Sequence, residues 1–306
     1  MTTPRTIEEY LRQLRAALRG ADPALVQDAL YDAEDHLRSE LAENPGRSEA
    51  EVLARIATSY GAPDEVAAIY VDKEVQVQQA LRTPAPPPRR SALGRFFGIA
   101  ADPRAYAGLF YMLLSLATGI FYFTWAVAGL SLSLGLSVLI FGIAFAVLFF
   151  GTVRVLALVE GRIVEVMLGE RMPRRPLYAQ REQPLRRRIR DMFTDPRTWS
   201  TLLYMLLMLP LGIVYFTAAV VGIALSISFT LAPVVHVLWS IGLVRIDGLT
   251  QADVSEGLLI PPLLADPIVF VLGVGVLFAL LHLARGVGRF QGALAKHLLV
   301  KSTSPG

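Results

Sequence analysis

From Ala105 to Leu134 the chain runs thirty residues without a charge, and the module containing this stretch occurs twice. Asp-Pro-Arg at 102–104 recurs at 195–197, a shift of 93 positions. Under the same shift Leu109 meets Leu202, Tyr111-Met112-Leu113-Leu114 meets Tyr204-Met205-Leu206-Leu207, and Gly119-Ile120 meets Gly212-Ile213. Tyr122-Phe123-Thr124 then meets Tyr215-Phe216-Thr217, followed by Gly129/Gly222 and Ser133/Ser226. Crossing the hydrocarbon core takes about 20 apolar residues. The uncharged stretch is long enough for one span, and Gly135–Val153 supplies a second. Duplication makes each module a structural unit, so two similar helical hairpins, about four spans in all, are expected.

Composition points the same way. Hydrophobic residues make up 54% of the 306 and charged ones 18%, too apolar for an ordinary soluble surface. The charge is also unevenly placed. Residues 1–80 hold 8 Lys/Arg against 15 Asp/Glu, a balance of −7 in a chain of net +3, which leaves +10 for the rest. An acidic head on a basic, apolar body predicts a cytosolic module joined to a membrane module. The absence of cysteine excludes a disulfide framework, a thiolate metal site and a cysteine nucleophile. The first 80 residues hold no apolar core segment, so no signal peptide is expected and the spans themselves direct insertion.

Those 80 residues read as short amphipathic helices. Thr6 and Glu9 form a capping-box pattern ahead of Ile7, Tyr10, Leu11, Leu14 and Leu18 on one face. Gly20 ends that helix. Asp22-Pro23 starts the next, with Val26, Leu30, Ala33, Leu37 and Leu41 on its buried side. After Asn44-Pro45-Gly46, Ser48 with Glu51 caps a third helix carrying Val52, Leu53 and Ile56. Gly61 and Pro63 then precede a fourth, carrying Val66, Ile69 and Tyr70. One apolar stripe per helix predicts a small bundle. Residues 83–90, with four prolines, favour extended geometry and read as a linker.

Each membrane module has a readable design. Asp102 and Asp195 are placed to cap helices that begin at Pro103 and Pro196. Arg104 and Arg197 fall where lipid phosphates lie, and Tyr106 and Trp199 at headgroup depth. Leu93, Phe96, Phe97 and Ala100, and likewise Leu185, Ile189, Met192 and Phe193, mark candidate interfacial helices. Gly129 with Ser133, and Gly222 with Ser226, have the spacing that brings membrane helices together. Pro210 is expected to kink the third span.

Residues 161–197 hold 10 Arg against 5 Asp/Glu, and Arg285, Arg289 and Lys296 follow the last span. By the positive-inside rule these regions and both termini are expected in the cytoplasm of a bacterial inner membrane. Arg285–Leu299 aligns with Arg154–Leu168 at a shift of 131, so about 38 residues are inserted in the second hairpin. The insert carries Arg245, Asp247, Asp253 and Glu256, expected outside the cell. The apolar stretch before it, 229–243, with Pro233, His236 and Trp239, reads as a half-span, a re-entrant segment or an interfacial helix; a fifth full span would put the basic tail outside, against the orientation rule.

Little in the sequence carries chemistry. No phosphate loop, dinucleotide fingerprint, metalloprotease motif or nucleophile elbow occurs. No enzyme activity, catalytic residue, cofactor or bound metal is expected, nor direct binding of nucleic acid. Asp32 and His36, four apart, lack an evident third ligand. Asp28, Asp32 and Asp35 form an acidic stripe, either solvated surface or the docking face for a basic partner. Tyr122, Phe123, Thr124, Tyr215, Phe216, Thr217 and His236 are candidate membrane-core packing or ligand contacts; His282 also lies by an apolar run. Asp102, Arg104, Asp195 and Arg197 are candidate helix-start and headgroup residues.

Two family resemblances follow from these residues. Tyr10-Leu11 through Leu18, the acidic helix with Tyr31, Asp35 and His36, and Tyr60-Gly61-Ala62-Pro63-Asp64-Glu65-Val66-Ala67 resemble the HAAS domain, a helical signalling module also known as DUF1700. That resemblance implies a link to PadR-type repressors. Asp195-Pro196-Arg197, Tyr204, Leu209-Pro210-Leu211-Gly212-Ile213, Tyr215-Phe216-Thr217 and Leu283-Ala284-Arg285-Gly286 resemble an actinobacterial-type sensor domain often fused to histidine kinases, and residues 102–169 look like a first copy.

The expected fold is all-α. A HAAS-like bundle over 1–82 and a linker over 83–92 precede a first hairpin repeat over 93–170. A basic linker over 171–185 joins it to a second repeat over 186–300, with its insert near 244–266. The expected function is relay of an envelope or lipid-phase stimulus through the bundle to a cytosolic regulator. A self-assembling membrane scaffold is the alternative, and a transporter a weaker one, since the spans lack the paired carboxylates or lysines of coupling-ion pathways. The bilayer itself and further copies of the chain complete the expected partners.

Overall fold

The computed structural model describes residues 4–81, 91–138, 140–174, 194–244 and 262–300, and all regular structure among them is helical. The first four helices are α1 (Ile7–Ala17), α2 (Pro23–Glu43), α3 (Glu49–Ser59) and α4 (Pro63–Leu81). Their starts follow local chemistry. The Glu9 amide donates to Thr6 Oγ1 at 3.2 Å, and the Ala24 amide to Asp22 Oδ1 at 2.9 Å. Ser48 and Glu51 satisfy each other's backbone in a full capping box. The Glu65 carboxylate takes the Ala62 amide at 3.0 Å, the half of such a box that an alanine ahead of α4 permits.

One apolar core joins the four helices. Tyr10, Leu14, Leu30, Leu37, Val52, Ile56 and Val66 are all buried in it. The Gly61-Ala62-Pro63 corner is tied to that core, because the Tyr10 hydroxyl donates to the Gly61 carbonyl at 2.9 Å. Gly61 has φ +110, where a side chain is strained, and this accounts for glycine in the Tyr-Gly-Ala-Pro motif. Burial raises the Tyr10 pKa, with Tyr60 and the acidic side chains Asp64 and Glu65 adding to the effect, so the hydroxyl stays a donor.

After a short α5 (Ala92–Phe97) and a 3₁₀ turn over Gly98–Ala101 come α6 (Pro103–Leu136), α7 (Ile140–Leu168), α8 (Pro196–Ser240) and α9 (Pro262–Leu299). All four are long and apolar enough to cross a membrane, and large side chains such as Phe110, Leu148 and Val271 are exposed on them. This is the surface that lipid requires. The chain is therefore a helical membrane protein with an N-terminal helical region.

α8 settles one open point. The helix continues unbroken to Ser240, through both Pro210 and Pro233, so 229–240 is an extension of the third long helix and neither a re-entrant segment nor a separate interfacial helix. Its 45 residues span about 68 Å at 1.5 Å each, more than the roughly 40–45 Å of a whole bilayer. The Leu185–Phe193 segment and most of the insert lie outside the described residues. α5 forms with Ser91 as its cap, and Phe96 stacks on His282, whose Nε2 lies 3.1 Å from the Phe96 carbonyl.

The chain divides into two compact units. One comprises residues 86–125 and 205–291. In it α6 and α8 approach so closely that a Cβ on Gly119 would lie 2.5 Å from the Met208 carbonyl oxygen, and one on Gly212 would lie 2.4 Å from that of Ser115. Gly119 and Gly212 are equivalent under the 93-residue shift, and so are Ser115 and Met208, so the contact is reciprocal. Tyr215 packs beside it with Met112, Ala219 and Ala284. α8 and α9 are held together further along, where Ser226 Oγ donates to the Gly273 carbonyl at 3.2 Å and Leu280 fills the space over Gly222. The other unit comprises residues 1–85, 126–204 and 292–306. There Phe149 covers Gly129, and Phe149 and Leu280 are equivalent under the 131-residue shift.

Two outcomes are expected. Gly119→Leu or Gly212→Leu should lower stability by about 1–3 kcal/mol through overpacking, read as the thermal midpoint of detergent-solubilised protein. Gly151→Leu, at a position with open space, should leave it unchanged. Tyr10→Phe should cost about 1 kcal/mol by leaving the Gly61 carbonyl without its donor, seen as faster hydrogen exchange in α1 and α4.

Candidate functional site

Within the unit formed by 1–85, 126–204 and 292–306, α2 turns polar side chains inward where an isolated bundle helix would keep them wet. Gln27 and Asp28 are buried, Asp28 to 5% exposure. Buried polar groups need partners, and these come from the ends of the membrane helices. α7 ends at Gly169, whose φ of +74 no side chain adopts easily, and the chain leaves the helix there. Met172 then buries against Gly161 of α7, which sets Arg171 and Arg174 beside α2.

Asp28 takes both of them. Arg171 Nη2 donates to its Oδ2 at 3.2 Å, and the Arg174 amide to its Oδ1 at 2.8 Å. Arg171 also pairs with Glu74 of α4, so one guanidinium lies between carboxylates of two bundle helices. Burial lowers the Arg171 pKa, while Asp28 opposes the shift by favouring the charged form. Asp22 both caps α2 and takes Lys296 Nζ of α9 at 2.6 Å. Gln27 accepts from Arg197 Nη2 at 2.8 Å. Arg197 also donates through Nε and Nη2 to the Leu299 carbonyl, closing the end of α9. The arrangement is an ionic latch with the bundle on one side and helix ends on the other.

The acidic stripe read from the sequence is thus split in three. Asp28 is consumed by the latch, Asp32 accepts the Tyr70 hydroxyl at 3.2 Å, and Asp35 is exposed. His36 stacks on Tyr60. Among the described residues no group of three or more His, Asp or Glu could hold a metal ion.

The other candidates fall into clear patterns. In both Tyr-Phe-Thr copies the tyrosine, Tyr122 or Tyr215, is buried; Phe123 and Phe216 are half-buried, and Thr124 and Thr217 are exposed. The Tyr215 hydroxyl donates to Gln291 at 3.2 Å. His236 Nδ1 lies 2.7 Å from Asp266, which pairs the far end of α8 with the start of α9. Asp102 and Asp195 each take the amide two residues on at 3.1 Å, and each pairs with an arginine from the end of a span. For Asp102 it is Arg285 at 3.1 Å, and for Asp195 it is Arg154 at 3.9 Å. Arg104 is exposed, whereas its repeat equivalent Arg197 turns into the latch.

Several residues had no local signal. Gln27 and Glu74 look like ordinary helix surface, and nothing near Arg171 distinguishes it from nine other arginines between 161 and 197. Buried Glu160, which accepts the Tyr204 hydroxyl at 2.7 Å, aligns with Gln291 at the 131-residue shift and could have been found that way.

The fold and this site define a class: a helical membrane protein whose bundle seats on the ends of its own spans. Comparison with known families agrees. The family described as "Putative sensor" matches residues 111–299, well over half the chain, and HAAS matches residues 9–69. The chain belongs to the sensor family and carries a HAAS domain at its N-terminal end. No curated protein and no solved structure matches it.

Removing Asp28 strands a largely buried Arg171. Asp28→Ala should therefore cost about 3 kcal/mol of docking free energy, detected as faster proteolytic release of the bundle from the full-length protein. Lys296→Ala, at a partly exposed pair, should cost about 1 kcal/mol or less.

Proposed function

We propose that the protein is a non-catalytic membrane sensor that reports the state of its membrane helices through the HAAS bundle to a cytosolic regulator. One observation supports this above all: Asp28, on the bundle's acidic face, is held by Arg171 and the Arg174 amide at the exit of a span. A change in packing that moves α7 alters whether that face is free. The stimulus then acts as a bias between two arrangements of packed helices, and an envelope or lipid-phase change is the kind that reaches these spans.

The boundaries proposed for the working parts are a bundle over 1–82, a linker over 83–92, membrane repeats over 93–170 and 186–300, and a basic connection over 171–185. The arginine-rich ends support a topology in which the bundle, the basic connection and both termini face the cytoplasm of a bacterium and the two repeats cross its inner membrane. The HAAS domain makes a PadR-type repressor the first regulator to test. Self-assembly as a scaffold has less support, because Gly119, Gly129, Gly212 and Gly222 are each covered by residues of the same chain.

With residues 1–82 as bait, native cytosol should yield a DNA-binding regulator. Full-length protein carrying Arg171→Ala should recover more of it than wild type. If neither captures a regulator, or a C-terminal tag is labelled by an impermeant reagent on intact cells, the relay is wrong.

A further inference from the structure

Beside the latch lies a cavity of about 100 Å³. Its polar lining is Gln27, Arg154, Asp195, Arg197, Thr198 and Thr201, and aliphatic side chains including Val153 and Leu158 complete it. Two of these polar groups are incomplete. Arg197 Nη1 and Thr198 Oγ1 are buried with no hydrogen-bond partner, and Thr198 is only 3% exposed. Buried unpartnered groups are rare because each costs its full desolvation. Arg197's other nitrogens are already taken by Gln27 and the Leu299 carbonyl, so its geometry is fixed while the two N–H groups of Nη1 remain open.

We infer that this cavity binds a phosphate oxyanion, held by Arg197 Nη1 and Thr198 Oγ1. A guanidinium can only donate and a hydroxyl can donate, so the complementary ligand is an acceptor. Arg154 and Arg197 against Asp195 leave one surplus positive charge, which a phosphodiester monoanion neutralises. The cavity opens at the first turn of α8, where the helix dipole favours an anion. The aliphatic wall suits the ester carbon of a lipid headgroup, and exposed Trp199 is the next residue along, but the same donors fit free phosphate. The first repeat has no such site in its equivalent Asp-Pro-Arg, since Arg104 is exposed. The inference does not depend on whether the bundle reports to any regulator.

Full-length protein in phosphatidylcholine nanodiscs provides the test. One arm raises the fraction of phosphatidylglycerol; the other adds inorganic phosphate. Hydrogen exchange over residues 195–201 and the thermal midpoint are followed in both. Wild type should gain protection and a higher midpoint in at least one arm: the first alone identifies a lipid headgroup, the second a free anion. Thr198→Val should need about tenfold more ligand, the worth of one hydrogen bond to a charged group. Its ligand-free midpoint should not fall, since it removes a hydroxyl without a partner. Arg104→Gln should titrate as wild type. No response in either arm overturns the inference, as does Thr198→Val responding like wild type or Arg104→Gln weakening as much as Thr198→Val.

Discussion

Where α6 and α8 cross, two glycines replace what would be collisions with carbonyl oxygens, and the membrane frame depends on that crossing. Lipid offers no hydrophobic drive to bring helices together, so association rests on close packing. A glycine in a helix interior costs about 1 kcal/mol of propensity, and the cost is offset only where the backbones meet. Gly119 and Gly212 meet equivalent partners because the module was duplicated with its contact surface intact. The same holds at Phe149 over Gly129 and Leu280 over Gly222, and for the aspartates that pair with Arg285 and Arg154.

On that shared frame the two copies diverge in the chemistry toward their helix ends. Glu165 of the first copy pairs with Arg174, while Lys296 at the equivalent position of the second pairs with Asp22 of the bundle. Buried Glu160 has Gln291 as its counterpart, and each takes a tyrosine hydroxyl. Exposed Arg104 has Arg197, which closes α9 and holds Gln27. These reversals lie at the helix ends, and in the unit that contains the bundle they create its seat.

The frame was legible in the sequence for a physical reason. Caps and turns are local, so Thr6, Asp22, Ser48 and Gly61 announce helix boundaries from a few neighbours. Repeats are legible by comparison within the chain. The seat was not legible, because its members lie far apart: Asp28 to Arg171 and Gln27 to Arg197 each bridge well over a hundred residues. An acidic residue on a helix has the same local pattern whether water or an arginine faces it. Arg104 and Arg197 stand in the same Asp-Pro-Arg and differ only in tertiary surroundings. The course of 229–240 was not legible either, since membrane helices tolerate proline and Pro233 therefore marks no boundary of α8.

The latch is built from ion pairs, and that choice bears on how tightly it closes. Bringing Asp28 and Arg171 out of water costs about as much as their attraction returns. The lowered pKa of Arg171 is the same desolvation seen from the guanidinium. Such a contact is specific in geometry yet small in net free energy, unlike an apolar interface of the same size. A bundle seated this way gains little net free energy from the Asp28–Arg171 pair itself. Gln27 belongs to α2 and lines the same cavity as Arg197, so an anion favours the docked arrangement to the extent that closing the cavity tightens its binding. At a hundred times its dissociation constant that is at most about 2.7 kcal/mol, reached only where the free arrangement binds no anion.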